Sequence, residues 1–189
     1  MGFLDSLLGR SKPKQADLDA LFAIPDAGIT LQSALGFEPT GRGAVCFRAA
    51  EGPAFTQTMQ DVVALLDNDD DPDVELSTDE FGFAWLLARQ PDLPSLATDL
   101  HAVNTSLEAQ GFGPALLCSL VSFADASGRS LALVYLYKRG TFYPFAPASP
   151  GSRQRDNLLE LQVRDLLSGE IGVEKDLSKW LAIWGAPGL

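Results

Sequence analysis

The stretch from Leu116 to Phe145 limits the fold more than any other part of the chain. Two runs of aliphatic and aromatic residues, 116–124 and 131–137, are joined by Asp125-Ala-Ser-Gly128, and a third run, 141–145, follows Lys138-Arg-Gly140. Such runs bounded by turn residues predict a hairpin and a further strand. Their backbone N–H and C=O groups must be paired once buried. Strands apolar on both sides belong at the centre of a sheet, so the rest of the chain has to complete and cover that sheet.

The remaining elements supply it. Residues 16–35 predict two helical pieces separated by Ile24-Pro25-Asp26 and stopped at Gly36. Residues 43–49 predict a short strand, and 55–66 predict a helix with Phe55, Met59, Val62, Val63 and Leu66 as its apolar stripe. Asn68-Asp-Asp-Asp-Pro72 predicts a solvated acidic turn, since it lacks the spacing and closing glutamate of a calcium loop. Residues 74–77 and 81–89 predict strands, with Phe81, Phe83, Trp85 and Leu87 lining one buried sheet face. Asp92 introduces a helix to about Gln110, with Leu96, Leu100, Val103 and Leu107 inward. A helix over 155–167 and a short one over 177–184 close the chain, the latter with Trp180 and Trp184 clamping the end onto the core.

This order has neither a regular strand and helix alternation nor a repeat. It predicts an α+β fold with a single antiparallel or mixed sheet and helices packed mainly on one face. Residues 15–189 form this domain. Residues 1–14 form an amphipathic element and hinge, in which Phe3, Leu4, Leu7 and Leu8 share one face ahead of Arg10-Ser-Lys-Pro-Lys14. That element is too short to hold alone in water, so its apolar face is expected to dock on the protein's core, a partner or a bilayer.

Composition narrows the function. The net charge of −11 opposes a broad nucleic-acid footprint, which relies on Lys and Arg displacing phosphate counterions. No run approaches the roughly 18–20 apolar residues of a membrane span, and no secretory leader opens the chain. Cytoplasmic residence follows as the expectation, with weak peripheral contact at the inner face of the membrane through the N-terminal element. Cys46 and Cys118 each sit in apolar runs and are expected to be buried free thiols.

Catalytic signals are weak. His101 is the only histidine, so no multi-imidazole metal site can form within one subunit, and no cofactor or metal is expected. The glycines lack Walker and GxGxxG spacing. Asp92 and Asp99 are explained by capping and solvation. The best claim to specific recognition lies in the tract Tyr135-LYKRGTFYP-Phe145, which gathers cations and aromatics in an acidic chain. Lys138, Arg139, Arg153 and Arg155 are candidates to pair with a partner's carboxylates, with Phe142 and Tyr143 as an apolar anchor. The competing expectation is a small-molecule-binding protein or enzyme with a cleft joining His101 to the tract from Lys138 to Tyr143.

Several segments carry a resemblance to a known family: MGFLDSLLGRSKPKQADLDALFAI (1–24), DEFGFAWL (79–86), DLHAVN (99–104) with GFG (111–113), LCSLVSF (117–123), LVYLYKRGTFYPFAP (133–147), DNLLELQ (156–162) and WLAIWGAPGL (180–189). With these the chain resembles the phage-shock-protein-A-associated protein B family over nearly its full length. The resemblance implies association with a membrane-stress protein of the phage-shock type, and it transfers no catalytic residue. The element order from about Leu31 to Leu167 also resembles the type III secretion chaperone-like architecture, with the helix at 55–66 as an insertion. Together these imply a non-enzymatic adaptor or regulatory protein that binds a protein partner, with homodimer formation compatible with the sequence.

Overall fold

The computed structural model describes residues 16–67 and 74–189. The expected N-terminal element, with Phe3, Leu4, Leu7 and Leu8, and the acidic turn over 68–72 lie outside the described residues. Six strands, β1 (Glu38–Arg48), β2 (Glu75–Thr78), β3 (Phe83–Arg89), β4 (Leu116–Ala124), β5 (Ser130–Leu136) and β6 (Thr141–Phe145), form one sheet in the order β2-β3-β1-β4-β5-β6. All five pairings are antiparallel. The one parallel feature is an isolated bridge between Phe142 and Val173.

Four helices, α1 (Ile24–Leu35), α2 (Pro53–Leu66), α3 (Leu93–Ala109) and α4 (Asn157–Leu167), cover one face of this sheet. The break expected at Ile24-Pro25-Asp26 is a joint, where a 3-10 segment Leu18–Ala23 runs into α1 with its proline in the first turn. A proline there costs no hydrogen bond, because the first helical N–H groups lack intrahelical acceptors. Gly36 stops α1 at φ 72°, a left-handed conformation that glycine adopts without strain. The Asp92 side chain accepts from Ser95 N at 2.8 Å to start α3, and Asp156 accepts from Leu159 N at 3.0 Å to start α4. Each such cap contributes about 1 kcal/mol. Leu96, Leu100, Val103 and Leu107 on α3 meet Val45, Phe47, Val121 and Phe123 of the sheet in one core.

The opposite face is apolar too, and among the described residues no α-helix covers it. Cys46, Trp85, Leu87, Cys118, Leu120, Val134, Tyr143 and Phe145 are packed there against Trp180, Trp184 and Ala186 of the C-terminal segment. That segment, residues 173–189, lies across the sheet as a strap. The helix expected over 177–184 shrinks to one 3-10 turn, Leu177–Lys179. Reach explains the difference. Trp180 stacks on Tyr143 of β6, while Gly188 lies against Leu87 of β3, four strand spacings away. Strands lie about 4.8 Å apart, so the strap must cross roughly 19 Å. The eight residue steps from Trp180 to Gly188 would cover only about 12 Å as a helix.

Phe81 departs from the expected buried face and is 66% exposed. It precedes β3 in a turn that the Asp79 carboxylate organises, accepting from Phe81 N, Phe83 N and Trp85 Nε1, each at 2.9 Å. Only Phe83, Trp85 and Leu87 of that series reach the strap-covered face.

Candidate functional site

β5 and β6 are joined by a tight turn in which Arg139 N and Gly140 N both donate to Leu136 O, at 3.1 and 2.9 Å. The turn holds Lys138 and Arg139 at the surface. Arg139 reaches back to the start of the strap, where its Nε and Nη2 donate to the two carboxylate oxygens of Glu174. Glu174 also accepts from Thr141 Oγ1 at 2.8 Å and Asp176 N at 2.9 Å. The Arg139 guanidinium beside it, with these hydrogen bonds, outweighs burial and holds the Glu174 carboxyl at about 2, well below its ordinary 4.5. Its backbone is used as well: Glu174 N donates to Phe142 O at 2.7 Å, and Glu174 O accepts from Trp180 Nε1 at 3.0 Å.

Lys138, Arg139, Thr141, Val173, Glu174 and Lys175 line an open cleft of about 420 Å³. Arg139 and Glu174 neutralise each other within it, so the exposed Lys138 and Lys175 give the cleft a net positive charge.

The other candidate residues are placed elsewhere. Phe142 and Tyr143 are each 1% exposed. Alternation along β6 sends Phe142 into the helix-covered core, 5.1 Å from the Tyr135 ring. Tyr143 goes under the strap, where it stacks on Trp180 and donates its hydroxyl to Leu181 O at 2.9 Å. Burial drives the Tyr143 hydroxyl pKa upward, so it stays a neutral donor. Both aromatics, expected as a partner's apolar anchor, are packed in the protein's own core. Arg155 is also turned inward. Its Nε donates to Glu160 at 2.8 Å, its Nη1 donates to Trp180 O at 2.6 Å, and its guanidinium lies 5.1 Å above the Phe145 ring. Arg139 and Arg155 therefore pin the strap at two points, Glu174 and the Trp180 carbonyl. Arg153 pairs with Glu80 at 2.8 Å in a separate cleft of about 610 Å³ that also includes Asp79, Arg129 and Trp184.

His101 lies on α3 with its ring 4.7 Å from Phe22 and its Nε2 3.3 Å from Asp19. It lines neither of these clefts, and the expected pocket joining it to the Lys138–Tyr143 tract is not among them. Among the described residues no group of three or more His, Cys, Asp or Glu could hold a metal ion. No helix of the described residues is long and apolar enough to cross a membrane.

Sequence reasoning missed Glu174, Lys175 and Glu160. Glu174-Lys-Asp176 reads as a solvated charge run, and only the preceding Ile171 and Val173 hint that the chain is turning inward there.

Comparison with known proteins adds one finding. The profile of the family described as PspA associated protein B matches residues 1–188, and the chain belongs to that family. No curated protein and no solved structure matches it.

Proposed function

We propose that the chain is an adaptor or regulatory protein of a phage-shock-type envelope stress response, and that it acts by binding an acidic surface of a protein partner. The carrying observation is the basic cleft at the β5–β6 turn. Lys138 and Lys175 stand exposed beside it, while Arg139 is engaged by the strap, in a chain whose net charge is −11. Two exposed cations with no ion pair among the described residues, at the rim of an acidic molecule, steer a complementary partner to one orientation. The family description, which names association with PspA, supports the stress-response setting. The likeness of the element order to type III secretion chaperones supports a binding role by analogy of architecture alone.

Residence is assigned to the cytoplasm, with weak peripheral contact at the inner face of the membrane through Phe3, Leu4, Leu7 and Leu8. Liposome flotation of the full chain against residues 11–189 tests this contact, and equal flotation of the two rejects it.

The partner-binding reading is tested by capture of a phage-shock-type protein under native salt. The structure dictates the variant. Replacing Arg139 would release the strap, so K138E/K175E is the informative pair. Loss of capture is expected, and undiminished capture would exclude the cleft as the docking site.

A further inference from the structure

Cys46 on β1 and Cys118 on β4 are partners across the antiparallel ladder, so their side chains leave the sheet on the same face. Both are buried and free, directly opposite each other in the ladder. Directly opposed residues in an antiparallel pair have Cα atoms about 4.5 or 5.5 Å apart, according to the kind of pair. Both separations fall within the roughly 4.4–6.8 Å that a disulfide spans. The register shifts between Cys46 and Phe47, which places an irregularity next to the pair, where the backbone departs from regular pairing.

The pair is shielded. Both cysteines belong to the apolar cluster that the strap closes, together with Trp85, Tyr143 and Trp180. The hydrogen bond with Cys118, burial and the nearby Asp79 all push the Cys46 thiol up. A thiol held protonated is a poor nucleophile, so the closed protein protects the pair and opening of the strap exposes it.

We propose that Cys46 and Cys118 form a cross-strand dithiol that a peroxide converts to an intramolecular disulfide, with the strap as its gate. The chemistry balances. One thiol loses its proton, its sulfur attacks a peroxide oxygen, and the O–O bond breaks to give a sulfenic acid and water. The second sulfur displaces hydroxide from the sulfenic sulfur, which forms the S–S bond, and the remaining proton makes a second water. The two sulfurs together lose two electrons, and the peroxide gains them. A second thiol already opposite the first favours disulfide closure over further oxidation. This inference does not depend on the adaptor reading.

The test treats the full chain with hydrogen peroxide under native conditions, followed by alkylation, intact mass and peptide mapping. Wild type is expected to lose two hydrogens as a monomer, with a Cys46–Cys118 crosslinked peptide that is absent from C46S and C118S. E174Q, which weakens the strap's anchor, is expected to oxidise about tenfold faster, because locally open states become more populated. W184A serves as a second strap variant should E174Q fail to fold. Separate sulfinic acids or intermolecular dimers in a strap-weakened variant, without the crosslinked peptide, would overturn the dithiol. Equal oxidation rates in wild type and the strap variants would overturn the gate.

Discussion

Arg139 and Glu174 meet in a two-pronged ion pair across 35 residues of sequence, Nη2 to Oε1 at 3.0 Å and Nε to Oε2 alongside. The pair ties the β5–β6 turn to the point where the strap leaves the edge of the sheet. Glu174 is nearly fully buried while Arg139 remains half exposed, so the carboxylate depends on the guanidinium more than the reverse.

Glu174→Gln keeps the shape of the side chain and removes its charge. Hydrogen bonds to charged groups contribute about 1.5–3 kcal/mol each. Part of that is retained by the neutral amide, so a loss of about 2 kcal/mol is expected in denaturant unfolding. Trp180, whose Nε1 donates to Glu174 O, should report the change in its fluorescence.

The same carboxylate sets an acid response. Its pKa is held at about 2 in the folded protein against an ordinary 4.5. A depressed folded value means that its stabilisation is fully present above about pH 4.5 and is lost as pH falls from there through 2. Asp79, Asp125 and Asp176 are shifted downward as well and act in the same direction. The difference between wild type and E174Q isolates the Glu174 share. The stability gap between the two proteins is expected to shrink across this window in acid unfolding experiments.

Asp79 organises the turn into β3. Burial alone would raise its pKa, yet hydrogen bonds from Trp85, Phe83 and Phe81 outweigh it and hold the carboxyl low. Asp79→Ala leaves the indole N–H and two amides without this acceptor. A loss of about 1–2 kcal/mol is expected, with a near-ultraviolet circular dichroism change from Trp85.

Asn104 and Ser119 form a buried polar pair between α3 and β4. Asn104 Nδ2 donates to Leu100 O at 2.7 Å and to Ser119 Oγ at 2.8 Å, while its Oδ1 has no hydrogen-bond partner among the described residues. Removing one member strands the other, so Asn104→Ala is expected to cost about 2–4 kcal/mol once the cavity is included. The pair N104L/S119A is expected to cost less than the sum of its single changes in a double-mutant cycle. Additive effects would show that the two side chains are not coupled.

Most of the fold was legible because its signals are local. Asp92 and Asp156 announce helices by capping them, Gly36 ends one, and the runs at 116–124 and 131–137 have too little polar surface to lie anywhere but mid-sheet. β1 is longer than the strand expected over 43–49, because Pro39, Thr40 and Gly41 interrupt the apolar pattern ahead of it. The strand continues through them by a register shift between Pro39 and Gly43. The strap was legible only as a clamp of Trp180 and Trp184 on the core, and its extended path was not. It has no periodicity, and it keeps its place through scattered contacts such as Trp180 on Tyr143 and the bond from Ser122 Oγ to Gly188 O. Tyr143 and Arg155 stand out in the sequence as part of a cationic and aromatic stretch, and only the path of the strap shows that both are turned toward it. Lys138 and Arg139 stood out as cations in an aromatic tract. Lys175 joins them through the bridge between Phe142 and Val173 and the Arg139–Glu174 pair, contacts that no local pattern encodes.

Affinity for a purified phage-shock-type partner, measured for wild type and K138E/K175E at low and high salt, tests the central claim most directly. Reversing two rim charges is expected to raise Kd by roughly tenfold or more at low salt, and added salt should narrow that difference. An identical Kd for the two proteins at both salt concentrations would contradict recognition through the basic cleft.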